Sequence, residues 1–279
     1  MAPSFARSTS LPSSPTHKKA SYHVRSVSLP CRSHPLISNL EEQIQAVRSW
    51  GANPEGSSAW IEAGLAHIEL LQIALEDFLQ LPQTQDTLRQ AASVDQLLDD
   101  LLQLVDAYGS FVSTILTLKE CHSNVQSAFR RQDEVRIASF LKSQRNAEKE
   151  IAQLTTGLRG ISKCRNLALC SDTKQIEITG IIREAICTTA FASMAIFAGV
   201  QTLSAAASSK KTFGVTRSFK KLAISYSLKK CSTGEEESIN NIKRFEELDE
   251  CIKFSECLSE RVFRSLINSR VSLLNITTP

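Results

Sequence analysis

The chain has 279 residues and is 42% hydrophobic, so it can bury one sizeable core or two small ones and is not disordered throughout. Its formal net charge is +3, and the five basic residues among the first 37 are too sparse to indicate a protein that binds nucleic acid specifically. Eight cysteines are scattered along the sequence and no secretory signal is recognisable before them, so we expect reduced thiols that lie mostly in the core.

The first segment, residues 1–35, is expected to be a disordered N-terminal arm because it is rich in serine and proline. It carries five basic residues and no acidic one, whereas the rest of the chain is close to neutral. Transit peptides have a similar composition, so import into a plastid is an alternative to the cytoplasmic location that we expect. Against that alternative, the five prolines in the arm would break an amphipathic targeting helix.

The N-terminal arm contains the pattern R-S-x-S-L-P twice, at residues 7–12 and 25–30. An arginine three residues before a serine allows a basophilic kinase to hold the serine by charge, and a phosphate there offers strong hydrogen-bond acceptors. With the proline that follows, each copy matches a form bound by 14-3-3 type adaptors. We therefore predict a phosphorylated adaptor-binding site in each copy, formed by Arg7, Ser10 and Pro12 and by Arg25, Ser28 and Pro30. The alternative is a local duplication without functional consequence.

Helical patterns begin after the arm and continue to the end of the chain. The sequence predicts a helix over residues 36–50, a turn at 51–56, and a second helix that Ser57 or Ser58 caps and Pro82 stops. Over residues 84–120 the apolar positions alternate steps of four and three, which indicates a coiled-coil seam. A second stripe overlaps the first, so we expect this helix at the centre of the bundle; its members are Leu97, Leu101, Leu104, Tyr108, Phe111, Ile115 and Leu118.

The rest of the body is also predicted to be helical, with a solvent-exposed face over residues 123–156 and an interruption at Gly157 and Gly160. Three glutamates at 235–237 open the last helix, where they oppose the positive end of its dipole. No run of alternating residues long enough for a strand is present. We predict an all-α, elongated multi-helix bundle over residues 36–279.

A run without charged residues at 185–207 is long enough to cross a bilayer. It is interrupted by polar residues and its apolar members are largely alanine, so a buried bundle helix is favoured. The stretch behind it, a loop at about 208–234, has seven basic residues within 210–230 and no acidic one. The alternative function is therefore a membrane-associated helical protein that uses the apolar run together with the basic stretch. The simpler interpretation of the basic stretch is a solvated loop.

Catalytic and metal-binding patterns were sought, and none was found. Cys121 and His122 are adjacent, point in different directions on a helix, and are expected to be a core thiol and a surface imidazole. The cysteines lack zinc-site spacing, and Asp95, Asp99, Asp100 and Asp106 are expected on the solvated side of their helix. We predict a non-enzymatic protein without cofactor or metal, with a kinase and an adaptor as partners and an oligomeric state that the sequence does not define.

Three segments of the chain resemble a known family: residues 22–30 (YHVRSVSLP) with the Ser33, His34 and Pro35 that follow, residues 79–85 (LQLPQTQ) and residues 270–276 (RVSLLNI). They resemble the plant-specific Bypass-like proteins, which have a domain of unknown function, and the resemblance extends over residues 22–279. It implies a role in root and shoot development and sets no mechanism. The repeat copy at 7–12 lies before the part that resembles the family.

Overall fold

A computed structural model describes residues 34–131, 133–163, 173–208 and 233–278, without the side chains of residues 129, 173, 174 and 233–242. Within these ranges the secondary structure is helical and contains no strand, which confirms the all-α bundle. The helices are α1 (Pro35–Gly51), α2 (Ser58–Leu79), α3 (Pro82–Leu88), α4 (Val94–Arg131), α5 (Glu134–Gly157), α6 (Arg159–Ser162), α7 (Thr173–Ala207) and α8 (Thr233–Thr277). Of the N-terminal arm, only its last two residues are described.

The first two helices form an antiparallel pair. His34 caps α1 by accepting a hydrogen bond at Nδ1 from the backbone amide of Leu36, and Ser57 caps α2 by accepting one from the amide of Trp60 at 3.2 Å. At the far end of α1, the ring of Trp50 stacks on Trp60 with centroids 4.2 Å apart. The direct contact of the end of α1 with the beginning of α2 fixes the antiparallel orientation.

The helix predicted from residue 84 is divided in two. α3 ends at Leu88, and α4 starts at Val94 and continues to Arg131, beyond the predicted end at 120. The wide apolar stripe lies on α4 as predicted, and each of its seven members is at most 1% exposed. α8 covers part of this stripe and runs antiparallel to α4, because Lys119 forms an ion pair with Glu256 while Gly109 faces the later Phe263.

The central helix of the bundle is α7, not α4 as the sequence pattern had indicated. α7 contacts every other helix, whereas α4 packs mainly against α5, α7 and α8. The small residues of the 185–207 run account for this position, because alanine, serine and threonine allow neighbouring backbones to approach from several sides. Several of them are completely buried: Ala185, Thr189, Ala190, Ala192, Ser193 and Ser204.

The apolar run predicted as a buried bundle helix thus lies within α7. Two described helices are long and apolar enough to cross a membrane, over Val94–Ala128 and Gln175–Ala207. In the most apolar window of each, 44% and 61% of the residues, respectively, are buried inside the bundle. The two helices correspond to α4 and α7, whose apolar faces form part of the core of the fold.

Candidate functional site

The six residues of the predicted phosphorylation and adaptor sites lie outside the described residues: Arg7, Ser10, Pro12, Arg25, Ser28 and Pro30. The basic stretch at 210–230 lies outside them as well. The structure does define where the N-terminal arm joins the bundle, since His34 caps α1. The surface around this junction is therefore the part of the candidate site that can be described.

The junction lies beside the last turn of α2. Trp50 meets Gly64 closely, because a methyl group on Gly64 would come within 2.2 Å of the Trp50 ring. From Trp50 back to Pro35, α1 advances about 22 Å, and the same distance along α2 leads from Gly64 to Leu79. α1 packs against α2 and α7, and its buried side chains extend along its whole length. His34 therefore comes level with Leu79.

One face of α2 remains exposed between α1 and α8. On it, Leu70 is 51% exposed and Ile73 is 44% exposed, and the two side chains lie about one helical turn apart. Asp77 follows Ile73 by four residues and lies on the same side, and Glu62 and Glu76 flank the apolar pair. We call these five residues the open face of α2.

The helix pair that carries the open face, α1 and α2, is acidic. α1 and α2 together carry six acidic residues, and their only Lys or Arg is Arg48, which pairs with Glu184 at 2.7 Å. Glu69 is neutralised by Arg261 of α8 at 2.7 Å. The other five have no ion pair among the residues that the structure describes; they are Glu41, Glu42, Glu62, Glu76 and Asp77.

Several polar side chains inside the bundle join one helix to another through hydrogen bonds. Gln72 of α2 donates a hydrogen bond to Thr189 of α7 at 2.8 Å and accepts one from Ser269 of α8. Tyr108 of α4 lies 3.0 Å from the hydroxyl of Ser193 on α7, and burial raises the Tyr108 pKa far above its ordinary value. These bonds join four helices through α7, so the groups have a structural role.

The thiols of the described core are mostly buried, as the sequence predicted. Cys121, Cys187 and Cys251 are buried, and Cys257 is exposed. Burial raises the pKa of Cys251 to about 11 and also raises the pKa of Cys121. A high pKa makes a thiol a weak nucleophile, so Cys121 and Cys251 behave as small apolar side chains.

His122 was expected at the surface, and this prediction is wrong. The side chain is only 5% exposed because α8 covers it: the ring stacks on Phe245 with centroids 3.9 Å apart. Its Nε2 lies 3.6 Å from Asp249 and 3.3 Å from the amide of Gln126. Burial lowers the His122 pKa below its ordinary value; nearby Asp249 raises it and Lys253 lowers it, with burial the largest effect.

This environment predicts that acidification destabilises the contact between α4 and α8. Because the folded protein binds a proton at His122 less readily than the unfolded chain, stability is complete above about pH 6.5 and decreases as the pH falls below that value. Urea denaturation of the wild type and of His122→Gln between pH 8 and pH 5 measures this. The wild type should lose more stability than the variant over that range, and parallel curves would contradict the prediction.

A shallow cleft of about 460 Å³ lies between α4 and α5. Most of the side chains that line it are polar, and Glu150 is the one titratable side chain among them. Among the described residues, no three His, Cys, Asp or Glu side chains lie close enough together to hold a metal ion. Of the four aspartates predicted on the solvated side of α4, Asp95, Asp99 and Asp106 are exposed, whereas Asp100 is half-buried.

Sequence reasoning missed both the open face of α2 and the polar layer around Gln72. A signal for the face was present, because Leu70 and Ile73 fall outside the apolar stripe of α2 and the helix lacks lysine and arginine. Gln72 itself stands within that stripe, between Ile68 and Leu75. A polar residue at a core position is a sign of a buried hydrogen bond, although the sequence does not identify its partner.

The comparisons with known proteins identify the family. A family model described as Protein BPS1 matches residues 64–276, about three quarters of the chain. The chain belongs to the BPS1 family. This confirms the resemblance to Bypass-like proteins, and two of the three resembling segments, 79–85 and 270–276, fall inside the match. The BPS1 match begins within α2, after the N-terminal arm and α1. No curated protein and no solved structure matches the chain.

Proposed function

We propose that this BPS1-family chain is a non-enzymatic interaction protein whose N-terminal arm, once phosphorylated on Ser10 and Ser28, binds a dimeric 14-3-3 type adaptor. The observation that carries the proposal is the repeated R-S-x-S-L-P pattern, in which Arg7 and Arg25 stand three residues before the two serines. Arginine at that position guides a basophilic kinase, and the phosphate then becomes a strong acceptor for an arginine cluster on the adaptor.

The packing of the bundle supports an interaction role for the body of the protein. Several of its buried hydroxyl and amide groups bond to one another across helices, as Gln72 and Thr189 do, and so hold these helices in a fixed arrangement. The helices then present a rigid surface on which partners can bind. Under this proposal the protein acts in the cytoplasm, and the resemblance to Bypass-like proteins implies root and shoot development as its biological setting.

Phosphosite mapping of the protein from plant tissue, together with an adaptor pull-down, tests this function. The pull-down compares the wild type with Ser10→Ala/Ser28→Ala and with the matched control Ser8→Ala/Ser26→Ala, which changes the other serine of each repeat. We expect phosphate on Ser10 and Ser28 and loss of adaptor binding in the first variant alone. Equal binding by all three proteins would contradict the proposal. Absence of the arm from the mature protein would instead identify it as a plastid-targeting segment.

The packing of α7 is relevant to the alternative function, which is that of a membrane-associated protein using the 185–207 run. Insertion of α7 into a bilayer would break the hydrogen bonds of Thr189 and Ser193 to α2 and α4, and also those of Ser204 to Gln144 and Glu148 of α5. We therefore expect any membrane-bound fraction to be released by a carbonate or high-salt wash in a liposome flotation experiment. Retention after both washes would support insertion of the 185–207 run.

A further inference from the structure

The open face of α2 and the N-terminal arm have complementary chemistry. The face combines two exposed aliphatic side chains with three carboxylates, and the arm is basic and contains aliphatic residues beside its arginines. We propose that residues 22–33 of the arm bind along the open face of α2, and that phosphate on Ser28 displaces them. The binding of the arm to this face does not depend on the proposed function, whereas its displacement rests on the phosphorylation proposed above.

Charge supports this assignment of the occupant. The arm has five basic residues and no acidic one, and the helix pair at its junction has six acidic residues, of which five lack an ion pair in the described part of the chain. Exposed like charges on adjacent turns repel one another, and cations placed among them remove that repulsion. Because the arm is covalently joined beside this surface, binding is intramolecular and is favoured by a high effective concentration.

The length of the arm fits the length of the open face. A fully extended chain advances about 3.3 Å per residue, so Leu29 can reach a point about 16 Å from His34, while Leu70 lies about 14 Å along α2 from Leu79. By the same geometry, Arg25 can reach about 30 Å from His34, and Glu62 lies about 26 Å from Leu79. The arm can therefore place Leu29 on the apolar pair and its two arginines near the carboxylates at either end.

Phosphate on Ser28 reverses this complementarity. Residues 22–33 carry two cations, Arg25 and Arg32, and no acidic residue. A phosphoserine adds about −1.5 to −2 charges at neutral pH, which cancels them. The phosphorylated segment no longer has a net positive charge that attracts Glu62, Glu76 and Asp77, so its binding to the face is lost. The kinase thereby creates the adaptor site and at the same time frees the segment that contains it.

Zero-length cross-linking of the full chain tests this inference. A carbodiimide joins amines to carboxylates that are in contact, so residues 22–33, which contain no lysine, are given amines by the charge-preserving pair Arg25→Lys/Arg32→Lys. The natural pair Lys119 and Glu256, whose charged atoms are 2.5 Å apart, is an internal reference that does not involve the arm. We expect monomeric chains cross-linked from positions 25 and 32 to the unpaired acids of α1 and α2. Phosphoserine installed at position 28 should lower this yield about fivefold, because two exposed ion pairs are lost, and leave the reference unchanged.

A charge-reversal variant separates binding to this face from general attraction to acids. Glu76→Lys/Asp77→Lys leaves Glu41, Glu42 and Glu62 available, and it should reduce arm cross-links to those three as well. Arm cross-links that go to Asp95 and Asp99 of α4, or that form only between chains, would overturn the proposed binding. A yield unaffected by phosphoserine would overturn the displacement. Failure of the phosphorylated chain to bind an adaptor would reject the proposed function without changing the cross-links.

Discussion

Chains phosphorylated on both Ser10 and Ser28 are expected to bind a dimeric adaptor about 10²- to 10⁴-fold more tightly than chains phosphorylated on one of them. The two serines are 18 residues apart in the sequence, so the linker between them extends to about 60 Å. Once the first site is bound, the second binds intramolecularly, and the overall affinity rises without any new contact. Titration of full-length chains carrying phosphoserine at 10, at 28 or at both positions measures the difference.

A monomeric form of the adaptor provides the control for this experiment. It offers a single groove, so it should bind the doubly phosphorylated chain with nearly the affinity of the singly phosphorylated ones. If the dimeric adaptor also shows no preference for the doubly phosphorylated chain, the two repeats act separately, and the bivalent model is wrong. A preference that survives with the monomeric adaptor would mean that the two phosphates cooperate within one groove.

Gly64→Ala is expected to destabilise the folded protein by about 2–3 kcal/mol, because the added methyl group collides with Trp50. The new carbon would lie 2.2, 2.6 and 2.7 Å from three atoms of the indole ring. The ring has little freedom to move away, since it stacks on Trp60 and its Nε1 donates a hydrogen bond to the Trp60 carbonyl at 3.0 Å. The expected result is a tilted indole and a weakened pair of α1 and α2.

Gly180→Ala is the matched control because Gly180 lies inside α7 with open space around it. Alanine is a better helix former than glycine, so this variant should be unchanged or more stable by about 0.5–1 kcal/mol. Urea denaturation followed by tryptophan fluorescence reports on the site directly, since Trp50 and Trp60 are the chain's two tryptophans. A Gly64→Ala variant as stable as the wild type would show that the contact relaxes without cost.

The sequence was informative wherever a strong local pattern existed. The apolar stripe of α4 was recognisable because leucine and aromatic side chains repeat at helical spacing, and Ser57 was recognisable as a cap by its position before an apolar run. The break between α3 and α4 was missed because residues 89–93 contain neither glycine nor proline. The position of α7 was missed because small residues form a weak pattern. His122 was wrongly expected at the surface because the helix that buries it, α8, is distant in sequence.

The location of α7 in the chain determines when the protein can fold during its synthesis. α1 and α2 are made first, yet the surfaces of Ile61 and Gln72 that face α7 have no partner until residues 173–207 have been translated and have left the ribosome. The emerging chain therefore exposes apolar helix faces through most of its translation. A ribosome stalled before α7 should hold a chain that recruits chaperones, and release of α7 should end that dependence.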